Sequence, residues 1–381
     1  MIVFLLQIPI NGGVVRGDVE RQEGFIMFTS LEDRIPSDHP LRPIRRMVDC
    51  ALREMSPLID SLYAERGRIS IPPEYLLRAQ MVQILFAIPS ERRLCEHLEY
   101  NLLFRWFVGL PLSEPVWHPT TFTKNRDRLL TSEVAEAFFE KIRTQAAARK
   151  LLSREHFSCD GTLIEAAASL KSFHPKNEGG PKDGGPPDRC GGRNPEVDFH
   201  GEKRSNATHA STTDPDARLA RIKGKEAKLA YRGHLLVENR HGLIVDCDLT
   251  PATGSAEPDA ALGLLARERA RHQGRMTVGA DRGYNTRRFV QDTRALSITP
   301  HVAEKKRFNA IDQRTTTWEG YGVSMRRRKI VEEPFGWMKT IGGLRKLRHR
   351  GTKKVRAVFT FTCACFNLVR LRNLEAELGL G

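Results

Sequence analysis

Residues Arg326–Lys339 read RRRKIVEEPFGWMK and place two adjacent acids, Glu332 and Glu333, inside a strongly basic segment. Two strand-like runs upstream each carry one aspartate: HFSCDGTLIEA with Asp160 and MTVGADRGY with Asp281. A strand interior disfavours Asp, so an Asp there is either a turn residue at the strand end or a functional carboxylate. Two strands and a helix are therefore predicted to deliver three carboxylates to one place, as a two-metal phosphoryl-transfer site requires.

Only one of Glu332 and Glu333 can point to that place. On a helix, Arg328 lies four residues before Glu332 and Lys339 lies seven after it, so these three side chains share one face. Pro334 lacks an N–H and restricts the residue before it, so the helix is expected to begin near Glu332 or to kink there. These arguments favour Glu332, and Glu333 remains the alternative.

The charge balance indicates a polyanionic partner. The 381 residues include 61 Lys and Arg against 46 Asp and Glu, a formal net charge of +15 at pH 7. Such an excess is typical of nucleic-acid-binding proteins, although a basic protein can also simply be soluble. The seven cysteines show no zinc-binding spacing, which fits a reducing cytoplasm. The apolar start MIVFLLQIPI is too short to span a bilayer, so no membrane association is expected.

Hydrophobic spacing divides the chain into a helical part and an α/β part. Residues 27–150 read as helices and are predicted to form an all-α DNA-binding domain, preceded by a non-native or disordered extension, residues 1–26. Further on, short strands alternate with helices, and the turn at 239–242 predicts a hairpin. This order predicts an α/β, RNase H-like catalytic domain over 151–375, a mixed sheet with helices on its faces. The Gly- and Pro-rich stretch 171–199 is predicted to be a flexible insertion.

Three basic groups are candidates for DNA contacts. The first is a short helix that either contacts phosphates or presents a solvated face: Lys124, Arg126 and Arg128. The second is a segment without acids, in which tracking of phosphates is favoured over a solvated face: Arg345, Lys346, Arg348, Arg350, Lys353 and Lys354. Arg328 and Lys339 beside the carboxylates form the third. The aromatic residues of a helix predicted over Ser90–Leu110 are expected to be core rather than base-stacking residues: Tyr100, Phe104, Trp106 and Phe107.

Long stretches of the chain resemble bacterial insertion-sequence DDE transposases of the IS-four and IS-five superfamily, the IS-five type in particular. The resemblance runs from about Met27 to Leu374 and includes, in order, SIPPEYLLRAQMVQIL, CDGTLIEA, KRSNATHASTTDPDARL, ATGSAEPDAAL, GADRGY and RKIVEEPFGWMK. It implies a catalytic, metal-binding triad: Asp160, Asp281 and Glu332. The polar block in KRSNATHASTTDPDARL resembles a motif of the same family and either contacts DNA, supports the site or forms a turn network.

A second signature concerns the residues around Glu332. Related transposases carry Tyr-x2-Arg-x3-Glu-x6-Lys, and Arg328, Glu332 and Lys339 match its last three positions. Met325 stands at the Tyr position, and Tyr321 lies one helical turn before it. The resemblance therefore implies phosphate contacts for the matched cations, Arg328 and Lys339, whereas the tyrosine position is not matched.

The resemblance implies a DNA transposase that binds the terminal inverted repeats of its own element as double-stranded DNA. Two Mg²⁺ ions, with Mn²⁺ as a substitute, would activate a water to cut the end phosphodiester, and the freed 3′-hydroxyl would then attack target DNA. Pairing of two ends implies a homodimer. Two alternatives stay open: a catalytically silent DNA-binding repressor derived from a transposase, and a nuclease without strand transfer.

Overall fold

The first part of the described chain is helical. The computed structural model describes residues 30–64, 70–129, 131–176, 204–221, 226–254 and 256–379, so the predicted extension 1–26 lies outside it. The helices there are α1 (Leu31–Arg34), α2 (Leu41–Glu54), α3 (Ser56–Ser61), α4 (Pro73–Leu85), α5 (Glu91–Tyr100), α6 (Leu102–Val108), α7 (Thr120–Leu129) and α8 (Ser132–Ala148). α4 begins directly after Pro72, because proline is tolerated in the first turn of a helix and not in its interior.

Two capping residues divide what was predicted to be one helix over Ser90–Leu110. Ser90 caps α5 by accepting a hydrogen bond from Arg93 N at 3.2 Å. Asn101 caps α6 in the same way, accepting from Phe104 N at 3.2 Å. The prediction of a single helix is wrong, because Asn101 adopts extended backbone angles (φ −96°, ψ 105°) that end one helix and begin the next.

The change of direction at Asn101 separates one aromatic residue from the other three. Phe104, Trp106 and Phe107 are buried, and α6 packs against α4, as their predicted place in the core requires. Tyr100 lies before the break and is 80% exposed, so the expectation that it is a core residue is wrong.

The second part of the chain is a sheet covered by helices. The strands are β1 (His156–Glu165), β2 (Phe173–Pro175), β3 (His209–Ser211), β4 (Arg218–Ala220), β5 (Lys228–Glu238), β6 (Ile244–Pro251), β7 (Met276–Ala280) and β8 (Ile298–Val302). The helices are α9 (Ala256–Arg271), α10 (Arg287–Ala295), α11 (Gln313–Thr316), α12 (Glu319–Arg327), α13 (Glu332–Thr340) and α14 (Thr352–Leu378).

The main sheet has the order β6-β5-β1-β7-β8, with the short β4 also paired to β5. β1, β5 and β6 run antiparallel to their neighbours, whereas β7 is parallel to β1 and β8 is parallel to β7. The predicted hairpin joins β5 to β6, and Gly242 in its turn adopts a φ of +76°, which favours glycine. This mixed sheet confirms the predicted RNase H-like fold class.

The predicted insertion begins later than expected. Residues 170–172 form a 3₁₀ turn, and β2 pairs antiparallel with β3, so the start of the insertion at residue 171 is wrong. Phe173 is buried and stacks on His209 of β3 with ring centroids 5.4 Å apart, which explains why this part is ordered. Residues 177–199 lie outside the described part of the chain.

One apolar core connects the helical part with one face of the sheet. α14 packs against both α8 and β6, and Phe138 meets Phe361 with ring centroids 5.2 Å apart. α9 and α10 cover the opposite face, over a second core that includes Phe157 and Leu264. The division of the chain near residue 150 stays a prediction, since α14 returns to pack on the first part. No helix in the described residues is long and apolar enough to cross a membrane.

Candidate functional site at the ends of strands β1 and β7

Asp160 and Asp281 lie at the same level of the sheet, where β1 and β7 separate. Ser158 of β1 is opposite Gly279 of β7 in the last parallel pair of these strands. Two residues further on, β1 reaches Asp160, and the chain beyond β7 reaches Asp281. β1 continues to Glu165 paired with β5. The two aspartates predicted from strand-like runs are therefore placed at one edge of the sheet, as expected for neighbouring parallel strands.

Backbone hydrogen bonds orient both carboxylates. Gly161 N donates to Asp160 Oδ1 at 2.8 Å. Asp281 caps a 3₁₀ turn, Arg282–Tyr284, and its Oδ1 accepts a hydrogen bond from Gly283 N at 2.7 Å. These bonds restrict the rotation of each carboxylate about its Cβ–Cγ bond, so the two acids are preorganised rather than free to turn.

The segment that contains Glu332 packs against this edge. Residues 328–331 form a 3₁₀ turn that leads into α13 at Glu332, so the helix begins where Pro334 predicted it. This turn contacts β1 and β5. Arg328 approaches β7 so closely that a Cβ added to Gly279 would lie 3.3 Å from Arg328 Cβ, which leaves little room for any other residue there.

Electrostatics link the three predicted carboxylates. The pKa of Asp160 is raised to about 6, chiefly by burial, and further by the negative charges of Asp281 and Glu332, whereas Arg328 lowers it. The charges of Asp281, Glu332 and Arg328 therefore all act on Asp160. Of the two adjacent acids of α13, Glu332 raises the pKa of Asp160 through its negative charge. This agrees with the sequence prediction that Glu332 lies on the helix face toward the other carboxylates.

The donor set fits divalent cations in kind. Its members are carboxylates, and oxygen is the ligand that Mg²⁺ and Mn²⁺ prefer. Mutual repulsion that raises a carboxylate pKa is the electrostatic condition that a bound cation relieves. The spacing of these carboxylates does not yet match a metal site. Within the described residues, no group of three or more His, Cys, Asp or Glu is close enough together to hold one metal ion. The carboxylates are near enough to interact electrostatically but not gathered into one ligand shell.

Basic residues follow β1 away from Asp160. Lys339 Nζ donates to Thr162 Oγ1 at 2.5 Å, two residues beyond Asp160. Lys346 Nζ lies 3.6 Å from Glu165 Oε1, and Leu347 N donates to Glu165 O at 2.8 Å. At about 3.3 Å per residue, these contacts lie roughly 7 and 16 Å along the strand from Asp160. No sequence pattern predicted a role for Thr162, which only the packing of α13 against β1 brings beside Lys339.

The two other predicted DNA-contact groups form one surface. The second group is exposed along its length: Arg345, Lys346, Arg348, Arg350, Lys353 and Lys354. Lys354 pairs with Asp127 of α7 at 2.5 Å, which places this group beside α7. His349 lies near both groups. Burial lowers its pKa to about 4, and the positive charges of Arg126, Arg348 and Lys354 lower it further.

The three predicted residues of α7 differ in their surroundings. Lys124 is exposed. Arg126 is half-buried and forms an ion pair with Glu91 of α5. The Arg128 guanidinium lies 4.6 Å from the centre of the Tyr63 ring, a cation–π contact. Lys124 is thus fully presented to solvent, whereas the other two also hold parts of the helical region together.

The polar block left open by the sequence forms a turn network. Asn206 Oδ1 accepts a hydrogen bond from Leu219 N at 2.7 Å, and Asn206 Nδ2 donates to Leu219 O at 2.9 Å. Asp214 Oδ1 accepts from Tyr231 OH at 2.7 Å and from Gly351 N at 3.2 Å. Asp216, which sequence reasoning missed, accepts from Thr352 N at 2.8 Å and so caps the start of α14.

Tyr321 reaches the same end of the sheet as the carboxylates. Its OH donates to Val302 O, the last residue of β8, at 2.9 Å. Burial raises the pKa of Tyr321, and the positive charge of Arg328 lowers it, so the two side chains interact. A tyrosine one turn before Met325 is therefore present near the cation of the signature.

Comparisons with protein-family models match one stretch in each part of the chain. Residues 29–128 match the family model described as Transposase domain (DUF772), and residues 283–372 match the model described as Transposase DDE domain. The second match includes Glu332 and begins after Asp281. Comparison with curated protein sequences gave no match.

Among solved structures, the chain is similar to the piggyBac transposase synaptic complex with hairpin DNA, with 9% identity, a TM-score of 0.42, and coverage of 89% of this chain and 76% of that chain. It is also similar to the Mos1 transposase paired-end complex with left transposon end, with 11% identity, a TM-score of 0.21, and coverage of 81% and 98%. Two stretches of the chain are thus similar to transposase domains, one within its helical part and one that ends in α14.

Proposed function

We propose that this protein is the transposase of a bacterial insertion sequence of the IS-five type. It binds the terminal inverted repeats of its element as double-stranded DNA, cleaves DNA at those ends and joins them to target DNA. The observation that carries the proposal is geometric: Asp160 of β1, Asp281 after β7 and the turn that leads into Glu332 lie at one edge of an RNase H-like sheet. The charges of Asp281, Glu332 and Arg328 acting on Asp160 agree with it. The two transposase domain matches support it.

Asp160, Asp281 and Glu332 are proposed to hold two divalent cations, Mg²⁺ or Mn²⁺. When bound, such ions supply positive charge to phosphate oxygens and lower the pKa of water. Arg328 and Lys339 bind the phosphate beside the carboxylates, since both reach the same stretch of β1. The backbone bonds at Asp160 and Asp281 keep these carboxylates in place before DNA arrives.

The surface formed by α7 and residues 345–354 is proposed to hold the DNA backbone. Its cations act at a distance from the carboxylates, so they contribute affinity and register rather than chemistry. The charges of Arg126, Arg348 and Lys354 all act on His349, which supports treating this surface as a single one. Synapsis of two ends is proposed to require a homodimer.

One observation favours a second function. The basic surface formed by α7 and residues 345–354 lies apart from the carboxylates, so DNA binding through it does not require them, as expected for a catalytically silent protein that retains only DNA binding. Such a protein would be a repressor that occupies the inverted repeats. The two functions share the same DNA surface and differ in whether a phosphodiester is cut.

The test is strand cleavage of a labelled duplex that carries the ends of the element encoding this protein. Purified protein is compared with Mg²⁺, with Mn²⁺ and with EDTA, alongside Asp160→Asn and a surface control, Asp60→Asn on α3. We expect metal-dependent nicking at the repeat boundary that is lost in Asp160→Asn and retained in the control. DNA binding, measured in EDTA, should be similar in all three proteins.

The other outcomes are equally informative. Tight binding to the repeats without cleavage under any metal condition would establish the repressor instead. Absence of binding to the repeats would reject both functions.

A further inference from the structure

A surface loop after β8 presents an exposed aromatic residue among cations. Residues 304–309 read EKKRFN, and Phe308 is 95% exposed. Its φ of +55° lies in the left-handed region, which is uncommon for a bulky residue. Lys306 and Arg307 beside it are also exposed. Single exposed apolar residues are common on protein surfaces, so exposure alone indicates no partner. Phe308 is distinguished by its left-handed backbone and by the exposed cations next to it.

Both ends of this loop are held by one buried residue, Asn285, which is 1% exposed. Asn285 Nδ2 donates to Ala303 O at 2.9 Å and to Asn309 Oδ1 at 2.6 Å. Its Oδ1 accepts a hydrogen bond from Ala310 N at 2.7 Å, and its main-chain oxygen accepts one from Lys305 Nζ at 2.6 Å. The loop is thus preorganised, so binding of a partner to its tip costs little conformational entropy of the loop.

The loop lies near the candidate site. It follows Val302 at the carboxyl end of β8, the strand next to β7. Asn285 is four residues after Asp281, so the base of the loop lies within about 14 Å of that carboxylate even for an extended chain. At a rise of about 3.4 Å per nucleotide, this distance corresponds to roughly four nucleotides.

The composition of the tip decides between partners. Lysine is depleted at protein–protein interfaces, so a tip that follows Lys305, Lys306 and Arg307 is poorly suited to an apolar protein surface. Cations that bind phosphates, combined with an aromatic face that stacks on bases, are the combination that binds single-stranded nucleic acid. Unpaired bases are needed because the bases of an intact duplex are already stacked on one another.

We propose that Phe308 stacks on an unpaired base of the DNA within a few nucleotides of the phosphate at the carboxylates, while Lys306 and Arg307 bind the adjoining phosphates. This proposal rests on the proposed function, because it assumes that DNA occupies the end of β1. It adds a recognition element for distorted or single-stranded DNA next to the cleavage position.

The experiment measures DNA binding in EDTA, so that it does not depend on cleavage. Two probes are compared by fluorescence anisotropy: a fully paired duplex of an element end and the same duplex with three unpaired nucleotides at the boundary. The proteins are wild type, Phe308→Ala, Phe308→Leu and Phe308→Trp. Tyr100→Ala, which removes another exposed aromatic residue from α5, is the matched control.

We expect Phe308→Ala and Phe308→Leu to lose about tenfold in affinity for the probe with unpaired bases and to bind the paired duplex as wild type does. Phe308→Trp should keep the wild-type affinity for the probe with unpaired bases, because a larger ring stacks on a base at least as well. Tyr100→Ala should bind both probes normally. Lys306→Ala should weaken binding to both probes and reduce the slope of log K against log salt by about one.

Several results would overturn the proposal. Equal affinity of wild type and Phe308→Ala for the unpaired probe, with DNA binding otherwise intact, would reject base stacking and leave the proposed function standing. A Phe308→Ala protein that binds DNA normally but changes its mass in light scattering would assign the tip to a protein contact. Failure of wild type to bind either probe would reject this proposal together with the proposed function.

Discussion

Asp160 lies in the part of β1 that is paired with β5 on one side and has no strand partner on the side of β7. The parallel pairing of β1 with β7 ends at Ser158, so Asp160 lies where the sheet opens. Burial and the charges of Asp281 and Glu332 raise its pKa to about 6. The folded protein therefore holds this carboxylate in an environment that disfavours its ionised form, an arrangement common at functional sites and unfavourable for stability.

Replacement of Asp160 by Asn is predicted to stabilise the protein in EDTA. A raised pKa means that ionised Asp160 disfavours the folded state above about pH 6, by an amount on the order of 1–3 kcal/mol. The gain in the free energy of unfolding should be largest near pH 8. It should shrink toward pH 4, because the folded carboxyl is then protonated and the pH approaches the ordinary pKa at which the unfolded carboxyl also takes up its proton. Urea unfolding at both pH values measures it, and a variant less stable than wild type at pH 8 would contradict the prediction.

Thermal unfolding with added Mg²⁺ extends the same comparison. Mg²⁺ should raise the Tm of wild type, because a ligand that binds only the folded state stabilises it. It should leave the Tm of Asp160→Asn unchanged. Equal Tm increases in both proteins would place the ion elsewhere.

Glu332 and Glu333 form a matched pair for testing which acid acts. Both are exposed at the start of α13, and Glu332 raises the pKa of Asp160. We predict that Glu332→Gln lowers the rate of metal-dependent cleavage about 100-fold or more, as loss of one preorganised charge does, whereas Glu333→Gln stays within a few-fold of wild type. The opposite ranking would show that Glu333 is the third carboxylate.

At the scale of elements, α13 and the segment after it connect the carboxylates to the basic surface. α13 begins at Glu332 and carries Lys339, which binds Thr162 of β1. The chain then turns at Gly342 and runs along Glu165 toward α14, whose start is capped by Asp216. The placement of the predicted phosphate-binding residues therefore depends on the packing between α13 and α14.

Gly342 allows this close packing, and Gly336 offers a matched control. A Cβ on Gly342 would lie 2.7 Å from Thr362 Cγ2 and 2.9 Å from Met338 O, whereas a Cβ on Gly336 would meet nothing within 4 Å. We predict that Gly342→Ala lowers the free energy of unfolding by about 1–3 kcal/mol through overpacking. Gly336→Ala should raise it by up to about 1 kcal/mol, because alanine favours helix. Urea unfolding without DNA measures both changes. Equal effects of the two substitutions would show that α14 moves to accommodate the added methyl group at little cost.

At the scale of the whole molecule, α14 makes the helical part and the sheet share one core. Phe138 of α8 and Phe361 of α14 pack together, and Lys354 pairs with Asp127 of α7. The cations around His349 therefore come from both parts of the chain. The surface proposed to bind DNA therefore holds its position relative to the carboxylates, because both parts of the chain share one core.

Three histidines with lowered pKa values, two of them buried, predict loss of stability in acid. Burial lowers the pKa of His234 to about 3, and those of His301 and His349 to about 4. Between about pH 6.5 and 4 the unfolded chain binds more protons at these sites than the folded one does, so stability falls as pH falls, by on the order of 2 kcal/mol per histidine.

The comparison of urea unfolding at pH 7.5 and pH 5 is made in the Asp160→Asn background, because Asp160 shifts stability in the opposite direction. His301→Gln should reduce the loss, whereas exposed His118→Gln should not change it. A loss that is the same in all proteins would show that other groups control acid unfolding.

Sequence patterns alone predicted the fold class and five strands of the main sheet, β1, β5, β6, β7 and β8, because apolar runs and turn residues act locally. They did not predict the short strands β2, β3 and β4. The sequence also predicted that Asp160 and Asp281 lie in or directly after strands and that a helix begins near Glu332, since Pro334 leaves few alternatives. Their roles as catalytic residues, the IS-five type and the domain boundaries stay predictions.

Only the tertiary structure decided which side chains meet. The break at Asn101 exposes Tyr100, β3 orders the start of the predicted insertion, and Glu91 engages Arg126. The clamp of Asn285 on the loop that carries Phe308 joins residues about 20 positions apart. Such contacts depend on packing between elements that are distant in sequence, and hydrophobic periodicity carries no information about them.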